Sequence, residues 1–256
     1  MTFCFDTSLI EGYQSNSQKA RVLTEDWVKR NLYCPICGRL QIEKYENNHP
    51  TGDFFCPQCN SDFELKSHES HTGTISKHIN DGAYDTMISR ITSSRNPNFF
   101  FMPYANYSVS NFVLIPNHFF TPEIIKKRKP LAPTARRPGW IGCNIDLSSI
   151  PETGKIFLVK NNVELDHEEV IRSYARAKSL MTSNLESRGW LLDTLSCIEK
   201  LPEESFSLDQ IYSFEAELKR KHPGNNFIKD KLRQQLQCLR DKGFIEFLGR
   251  GHYRKI

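Results

Sequence analysis

Two carboxylates and an amine, Asp53, Glu64 and Lys66, are threaded through four cysteines set as two Cys-x-x-Cys pairs, Cys34/Cys37 and Cys56/Cys59. Hard oxygens beside an ammonium suit chemistry on an anion, whereas thiolates at this spacing suit a structural ion. The second cysteine pair lies between the two acids. A metal held by the thiolates would therefore fix the same hairpin that presents the acids.

Eighteen residues separate Cys37 from Cys56, inside the range of a four-thiolate zinc site. Each pair spans a tight turn, so both of its sulfurs face one ion. Zn2+ bound by Cys34, Cys37, Cys56 and Cys59 would have no open position and would stabilise the fold without catalysing anything. Two disulfides are the alternative, but the sequence shows no secretory leader, and the expected cytoplasmic setting keeps thiols reduced. Cys4, Cys143, Cys197 and Cys238 stand in apolar or helical contexts and are expected to be buried free thiols.

From Asp62 to Lys66 polar and apolar residues alternate, so a strand would put Glu64 and Lys66 on one face and turn Phe63 and Leu65 into the core. Asp53 opens the run to Phe55, the expected partner strand. Two carboxylates, Asp53 and Glu64, converging from paired strands make an oxygen site for Mg2+. Such an ion polarises a phosphate and lowers the pKa of an attacking water. Lys66 would orient the water and stabilise the developing charge. Asp62 is a weaker rival as ligand. Glu25, Asp26 and Asp81 read as spare carboxylates, with Glu25 either an outer acid of the site or a solvated helix residue. Taken alone, Glu-x-Lys is also the pattern of a surface ion pair worth roughly 0–1 kcal/mol.

The elements that must position these groups follow from periodicity. Residues 1–182 mix helix-like and strand-like stretches: a helix over Ser17–Arg30 with Trp27 on its buried face, and strands at Phe99–Met102, Phe112–Ile115 and Lys155–Val159. The expected class is α/β, with a central mixed sheet. Trp27, Trp190 and Phe99 to Phe101 are expected in the core. Lys178–Ser187 reads as a linker. Residues 183–256 have another grammar. A helix over Trp190–Leu201 is followed by a capping box, Ser207 with Gln210, that opens a second helix to about Lys221. Asn225 or Asn226 caps a third, Phe227–Asp241, with Ile228, Leu232, Leu236 and Leu239 inward. A hairpin with Arg250 at its tip ends the chain. Three helices and a hairpin make a winged helix, whose third helix would offer Lys229, Arg233, Gln234, Gln237 and Arg240 to the DNA major groove.

The formal net charge of +4 in 256 residues hides a segregation. Lys126–Trp140 holds six basic residues and no acid, and Lys219–Ile256 holds eleven basic residues against three acids. Two basic segments on an otherwise acidic chain are the footprint of a polyanion, unless they are ordinary solvated faces. No apolar run approaches the roughly 18 residues of a membrane span.

The residues around Asp53, Glu64 and Lys66 resemble the PD-(D/E)xK nuclease signature, and the whole chain resembles the methyl-directed (type IIM) restriction endonucleases of that superfamily. The resemblance rests on the stretches 15–21, 23–28 and 33–37, on Phe63–Lys66, and on 79–84, 96–101, 128–137, 139–147, 187–190 and 239–243. It implies a PD-(D/E)xK endonuclease domain with an embedded Cys4 zinc site, followed by a winged-helix DNA-binding domain. The implied activity is Mg2+-dependent cutting of double-stranded DNA at GATC carrying N6-methyladenine. Nothing in the sequence resembles a dimerisation helix, so a monomer is expected. One departure is that Pro50, Thr51 and Gly52 precede Asp53, so the signature proline is not adjacent to the aspartate. A single buried methyl is worth roughly 0.8 kcal/mol, so two readers would serve discrimination better than one. Trp140, flanked by Arg136 and Arg137, is the candidate reader in the first domain, with an ordinary core tryptophan as the alternative. A second function class is a zinc-containing winged-helix regulator without catalysis, which has no reason to keep Asp53, Glu64 and Lys66 together.

Overall fold

The unbroken apolar run Phe99–Met102 cannot sit on a sheet with one wet face, since consecutive side chains point to opposite sides. In the computed structural model, which describes every residue except Asn48 and Ser94, all four of these side chains are fully buried. In chain order the first part runs α1 (Asn16–Asn31), β1 (Glu43–Lys44), β2 (Phe54–Phe55), β3 (Asp62–Glu69), β4 (His78–Ala83), α2 (Tyr84–Ile91) and β5 (Asn98–Ala105). It continues through β6 (Ser108–Val109), β7 (Phe112–Ile115), β8 (Ile125–Lys127), β9 (Gly142–Asp146), β10 (Ile156–Lys160), β11 (Val163–Glu164) and α3 (His167–Lys178).

The larger sheet has the order β1-β2-β3-β5-β7-β10-β11, with β6 paired to β5. Among the described residues only β3 and β5 are parallel, in register from Phe63 opposite Asn98 to Glu69 opposite Tyr104. The segment between them supplies β4 and α2. The α/β class with a mixed sheet is thus observed. A feature absent from the sequence reading is a second, antiparallel sheet, β4-β9-β8. Helix α1 lies against β3: Leu23, Thr24, Trp27 and Val28 are buried, and the Thr24 and Ser67 hydroxyls are 3.2 Å apart. Trp27 is a core residue, as are Trp190 and Phe99 to Phe101. Cys143 and Cys197 are buried thiols, but Cys4 is exposed and Cys238 only half-buried. Cys4 makes an isolated bridge to Ser108.

The linker is shorter than the polar composition of Lys178–Ser187 suggested. Helix α3 reaches Lys178, and α4 (Leu185–Lys200) starts before Arg188 because Asn184 caps it, accepting from the Ser187 N–H at 2.8 Å. There follow β12 (Ser205–Ser207), α5 (Leu208–Tyr212), α6 (Glu215–Lys221), α7 (Ile228–Asp241), β13 (Ile245–Gly249) and β14 (His252–Lys255). The capping box at Ser207 and Gln210 is complete in both directions. The helix it opens does not run through to Lys221. Ser213 Oγ donates to the Gln210 carbonyl at 2.6 Å, and the Phe214 N–H turns to Ile211, so the segment breaks into α5 and α6. β12 joins the hairpin in the order β12-β14-β13. Neither asparagine is the N-cap residue of α7, which is Phe227; Asn225 Oδ1 accepts from the Phe227 N–H at 2.7 Å one step earlier. Among the described residues, no helix is long and apolar enough to cross a membrane.

Candidate active site and metal cluster

The two Cys-x-x-Cys turns are built alike. Gly38 donates to the Cys34 carbonyl at 2.9 Å and Asn60 to the Cys56 carbonyl at 2.8 Å, and both residues adopt positive φ to close the turn. The Cys34 and Cys56 N–H groups reach forward to Arg39 and Ser61. The four sulfurs all lie within 4.8 Å of one another, with Cys34 to Cys59 at 3.7 Å and Cys37 to Cys56 at 3.6 Å. These separations are far beyond an S–S bond of about 2.05 Å, so the cysteines are not disulfides. They match the edge of roughly 3.8 Å expected of a tetrahedron with bonds of about 2.3 Å to zinc. The cluster can hold a metal such as zinc through Cys34, Cys37, Cys56 and Cys59.

The same hairpin carries the acids. Phe54 and Phe55 of β2 pair with Phe63 and Asp62 of β3, and the Asp53 N–H extends the ladder to the Phe63 carbonyl at 2.9 Å. Gly52 stands where a Cβ would lie 2.7 Å from that same carbonyl oxygen, so the close approach that sets Asp53 against β3 excludes a side chain. Asp53 Oδ2 then accepts from the Leu65 N–H at 2.8 Å. The Asp53 carboxylate therefore sits against the backbone between Glu64 and Lys66, the two side chains that alternation puts on one face. Lys66 Nζ is 2.5 Å from Glu64 Oε1 and 2.6 Å from Asp81 Oδ1. Arg90, from α2, ion-pairs with Glu64 Oε2 but gives its other terminal amine to the Thr51 carbonyl at 2.8 Å. That buried Glu64 oxygen makes no hydrogen bond.

A cleft of about 470 Å³ opens here, lined by Asp53, Lys66 and Asp81 together with Arg21, Thr24 and Glu25 of α1. Glu64 does not line it and is joined to it only through the ion pair with Lys66. Burial pushes the Asp53 carboxyl above the ordinary carboxylate value, and the neighbouring charges of Glu64 and Glu25 push the same way. Burial disfavours the Lys66 ammonium, but Glu64 and Asp81 outweigh it and hold the amine charged. The cleft thus gathers three carboxylates, Asp53, Glu25 and Asp81, against two cations, Lys66 and Arg21. A divalent ion would relieve this for Asp53 and Glu64, in competition with Arg90, which already pairs with Glu64 Oε2.

Two acids that the sequence presented as spare belong to this cleft. Glu25 is nearly buried and pairs with Lys44 Nζ at 2.7 Å, whereas its neighbour Asp26 only pairs with Arg30 on the helix surface. Asp81 arrives from the second sheet, which periodicity did not reveal. Asp62 is engaged elsewhere, accepting from Tyr45 Oη at 2.8 Å.

The basic segment after β8 is a loop closed on itself. Leu131 N–H donates to the Trp140 carbonyl at 2.9 Å, and Arg128 N–H to Gly142 at 2.9 Å. Trp140 is half-buried rather than a core residue. Its ring lies over Gly142, where a Cβ would meet it at 2.8 Å. Arg136 and Arg137 are exposed. On α7, Lys229, Arg233, Gln234, Gln237 and Arg240 are all exposed, opposite the buried Ile228, Leu232, Leu236 and Leu239. Part of that charge is answered locally, Arg233 by Asp230 and Arg240 by Asp241. Lys229 and Arg233 also lie over the Tyr212 ring. Arg250 is exposed at the hairpin tip with positive φ.

Residues 1–183 match the family model described as DpnI, Dam-replacing family. The chain belongs to the DpnI, Dam-replacing family. Residues 186–255 match the Dam-replacing HTH domain, which fits the helices and hairpin seen there. The Dam-replacing family is one of restriction-type nucleases, and its helix-turn-helix part makes DNA the partner.

Proposed function

We propose that the protein is a type II restriction endonuclease of PD-(D/E)xK type that hydrolyses phosphodiesters in double-stranded DNA at GATC when its adenine is N6-methylated. The observation that carries this reading is the 2.8 Å bond from the Leu65 N–H to Asp53 Oδ2. It sets the aspartate against the Glu64–Leu65–Lys66 backbone in the wall of a cleft of about 470 Å³. Family membership supports the same reading.

In this reading residues 1–182 form the nuclease domain and 183–256 the winged-helix DNA-binding domain. Zn2+ on the four thiolates staples the β2–β3 hairpin and takes no part in the reaction. Asp53 and Glu64 would hold Mg2+, which when bound polarises the scissile phosphate and makes its water a better nucleophile. Lys66, kept as an ammonium by Glu64 and Asp81, faces the attacking side, where it orients water and offsets charge building on the phosphate oxygens. Arg136, Arg137 and Trp140 meet the DNA beside the cleft, Trp140 supplying the apolar face for methyl groups that project into the major groove. Lys229, Arg233, Gln234, Gln237 and Arg240 meet it through α7, and Arg250 through the wing. The protein works in the cytoplasm as a monomer.

The test is one plasmid prepared with and without adenine methylation at GATC, incubated with the protein in magnesium and then in a chelator. Magnesium-dependent cutting of the methylated form alone is the expected result. Cutting of both forms would retain the nuclease and remove the methyl requirement, while binding with no cutting would make the protein a zinc-containing DNA-binding regulator.

A further inference from the structure

Asp81 reaches the cleft from the small sheet β4-β9-β8, whereas Asp53, Glu64 and Lys66 all come from the large one. The ladder slips between Asp81 and Ala83, so Gly82 is a bulge in the strand that presents this carboxylate. Bulges beside active sites re-aim a side chain. Here the re-aimed side chain ends 2.6 Å from Lys66 Nζ, with both partners largely buried. The fold does not depend on that bond, because β4 is already held to β9 by a ladder from His78 to Ala83. A buried ion pair is weak evidence for stability, since desolvation offsets most of its attraction.

The same strand row leads to the basic loop. Asp81 is opposite Cys143, and Cys143 is opposite Lys127. The loop starts directly after Lys127 and returns at Trp140, whose ring packs on Gly142, the partner of Ala83. Tyr84 N–H donates to the Ile141 carbonyl at 3.1 Å, closing this end of the sheet. One hydrogen-bonded row thus runs from the base of the loop to the amine of Lys66.

Resting on the nuclease reading above, we infer that Asp81 is a positioning residue that sets Lys66 in the cleft and ties its placement to the small sheet bearing the basic loop. It acts through Lys66 and touches neither DNA nor metal. Misplacing a reacting group by about 1 Å costs on the order of 100-fold in rate, and Asp81→Ala should show a loss of that size in the single-turnover cleavage rate of a methylated duplex. Binding of that duplex, measured with calcium ions in place of magnesium, should stay within about twofold, since positioning of the amine affects the reacting step and not affinity. Asp81→Asn keeps an oxygen that accepts from Nζ and should recover part of the rate. In a Lys66→Ala background, Asp81→Ala should have no further effect.

A full rate in Asp81→Ala, a loss that appears equally as weaker binding, or an additional loss on top of Lys66→Ala would each overturn the inference. So would recovery at high magnesium, which would make Asp81 a metal ligand instead. The nuclease reading fails separately, by Asp53→Ala and Lys66→Ala both cutting at the parental rate. A thermal melt of each variant, together with its retained binding, identifies any variant that has lost its fold; Asp81→Asn then carries the test.

Discussion

One hairpin carries two clusters of ligand-type residues, and they are assembled in opposite ways. The thiolates come together through two near-identical local turns, each closed by its own backbone hydrogen bond, and the short β1–β2–β3 ladder brings the two turns side by side. The carboxylates converge over long range: Asp53 and Glu64 from neighbouring strands, Glu25 from α1, Asp81 from the second sheet, with Arg90 of α2 behind. Their electrostatics differ as well. Four soft donors within 4.8 Å of one another, two of their edges at 3.6 and 3.7 Å, could close a shell around one ion. The acids are set against a lysine and an arginine in an open cleft, where burial, with Glu64 and Glu25 nearby, raises Asp53. The first arrangement stores stability, and the second stores charge for use.

Removing metal from the thiolates should have the largest effect. Structural zinc carries on the order of 10 kcal/mol of coupled binding and folding free energy. A strong chelator, or Cys34→Ser with Cys56→Ser, should open the 34–59 segment to proteolysis and abolish cleavage along with it, with one zinc released per chain by metal analysis. Retained protection after zinc loss would break the contrast between the two clusters.

Asp53→Ala should do the reverse. Cleavage should fall by at least about 1000-fold, or ~4 kcal/mol of barrier, while melting temperature and DNA binding hold, because a carboxylate raised by burial, and further by Glu64 and Glu25, contributes little stability. A large drop in melting temperature would make Asp53 structural and erase the distinction.

His118 sharpens the comparison as a buried titratable group outside both clusters. Burial, with Arg188 and Lys178 nearby, pushes it down to about 4 although its ring donates to the Ala177 carbonyl at 2.9 Å. The folded state therefore refuses a proton that the unfolded chain takes up near pH 6.5. Stability is full above that value and declines as pH falls from about 6.5 toward 4, by ~3 kcal/mol at the lower end. Urea unfolding of the parent and His118→Asn across this range should give a steeper loss for the parent. Parallel slopes would remove His118 as the cause.

The smallest effect is expected at the loop. Trp140→Ala should keep cleavage of methylated DNA but reduce the preference over unmethylated DNA about 10-fold, the equivalent of ~1.4 kcal/mol. An unchanged rate ratio would assign methyl reading to α7 alone.

What was legible beforehand follows from how locally each feature is encoded. The knuckles, the core stripe of α7 and the capping box at Ser207 each fit within one or two turns of chain, and each appears where the pattern put it; the Phe63–Lys66 alternation holds for buried Phe63 and for the paired Glu64 and Lys66, but Leu65 is only half-buried and lines the cleft. The break at Ser213 and the start of α4 at Asn184 depended on single side-chain hydrogen bonds that periodicity does not register. Strand β12 has three residues and no pattern of its own. Trp140 was balanced between core and surface, and it lies at neither extreme because its ring rests on a glycine two residues on.

By itself, the sequence determined the four clustered cysteines, the candidate set of acids and lysine, the mixed α/β character and the helical grammar of the tail, since these depend on residue type and short spacing. Only the tertiary structure decided which acids share the cleft. Glu25 and Asp26 are neighbours of the same type, yet one faces the cleft and the other the surface, because α1 turns a single face to β3. Asp81 reaches Lys66 because a bulged strand from a second sheet crosses at that point, and long-range strand pairing leaves no local mark in the chain.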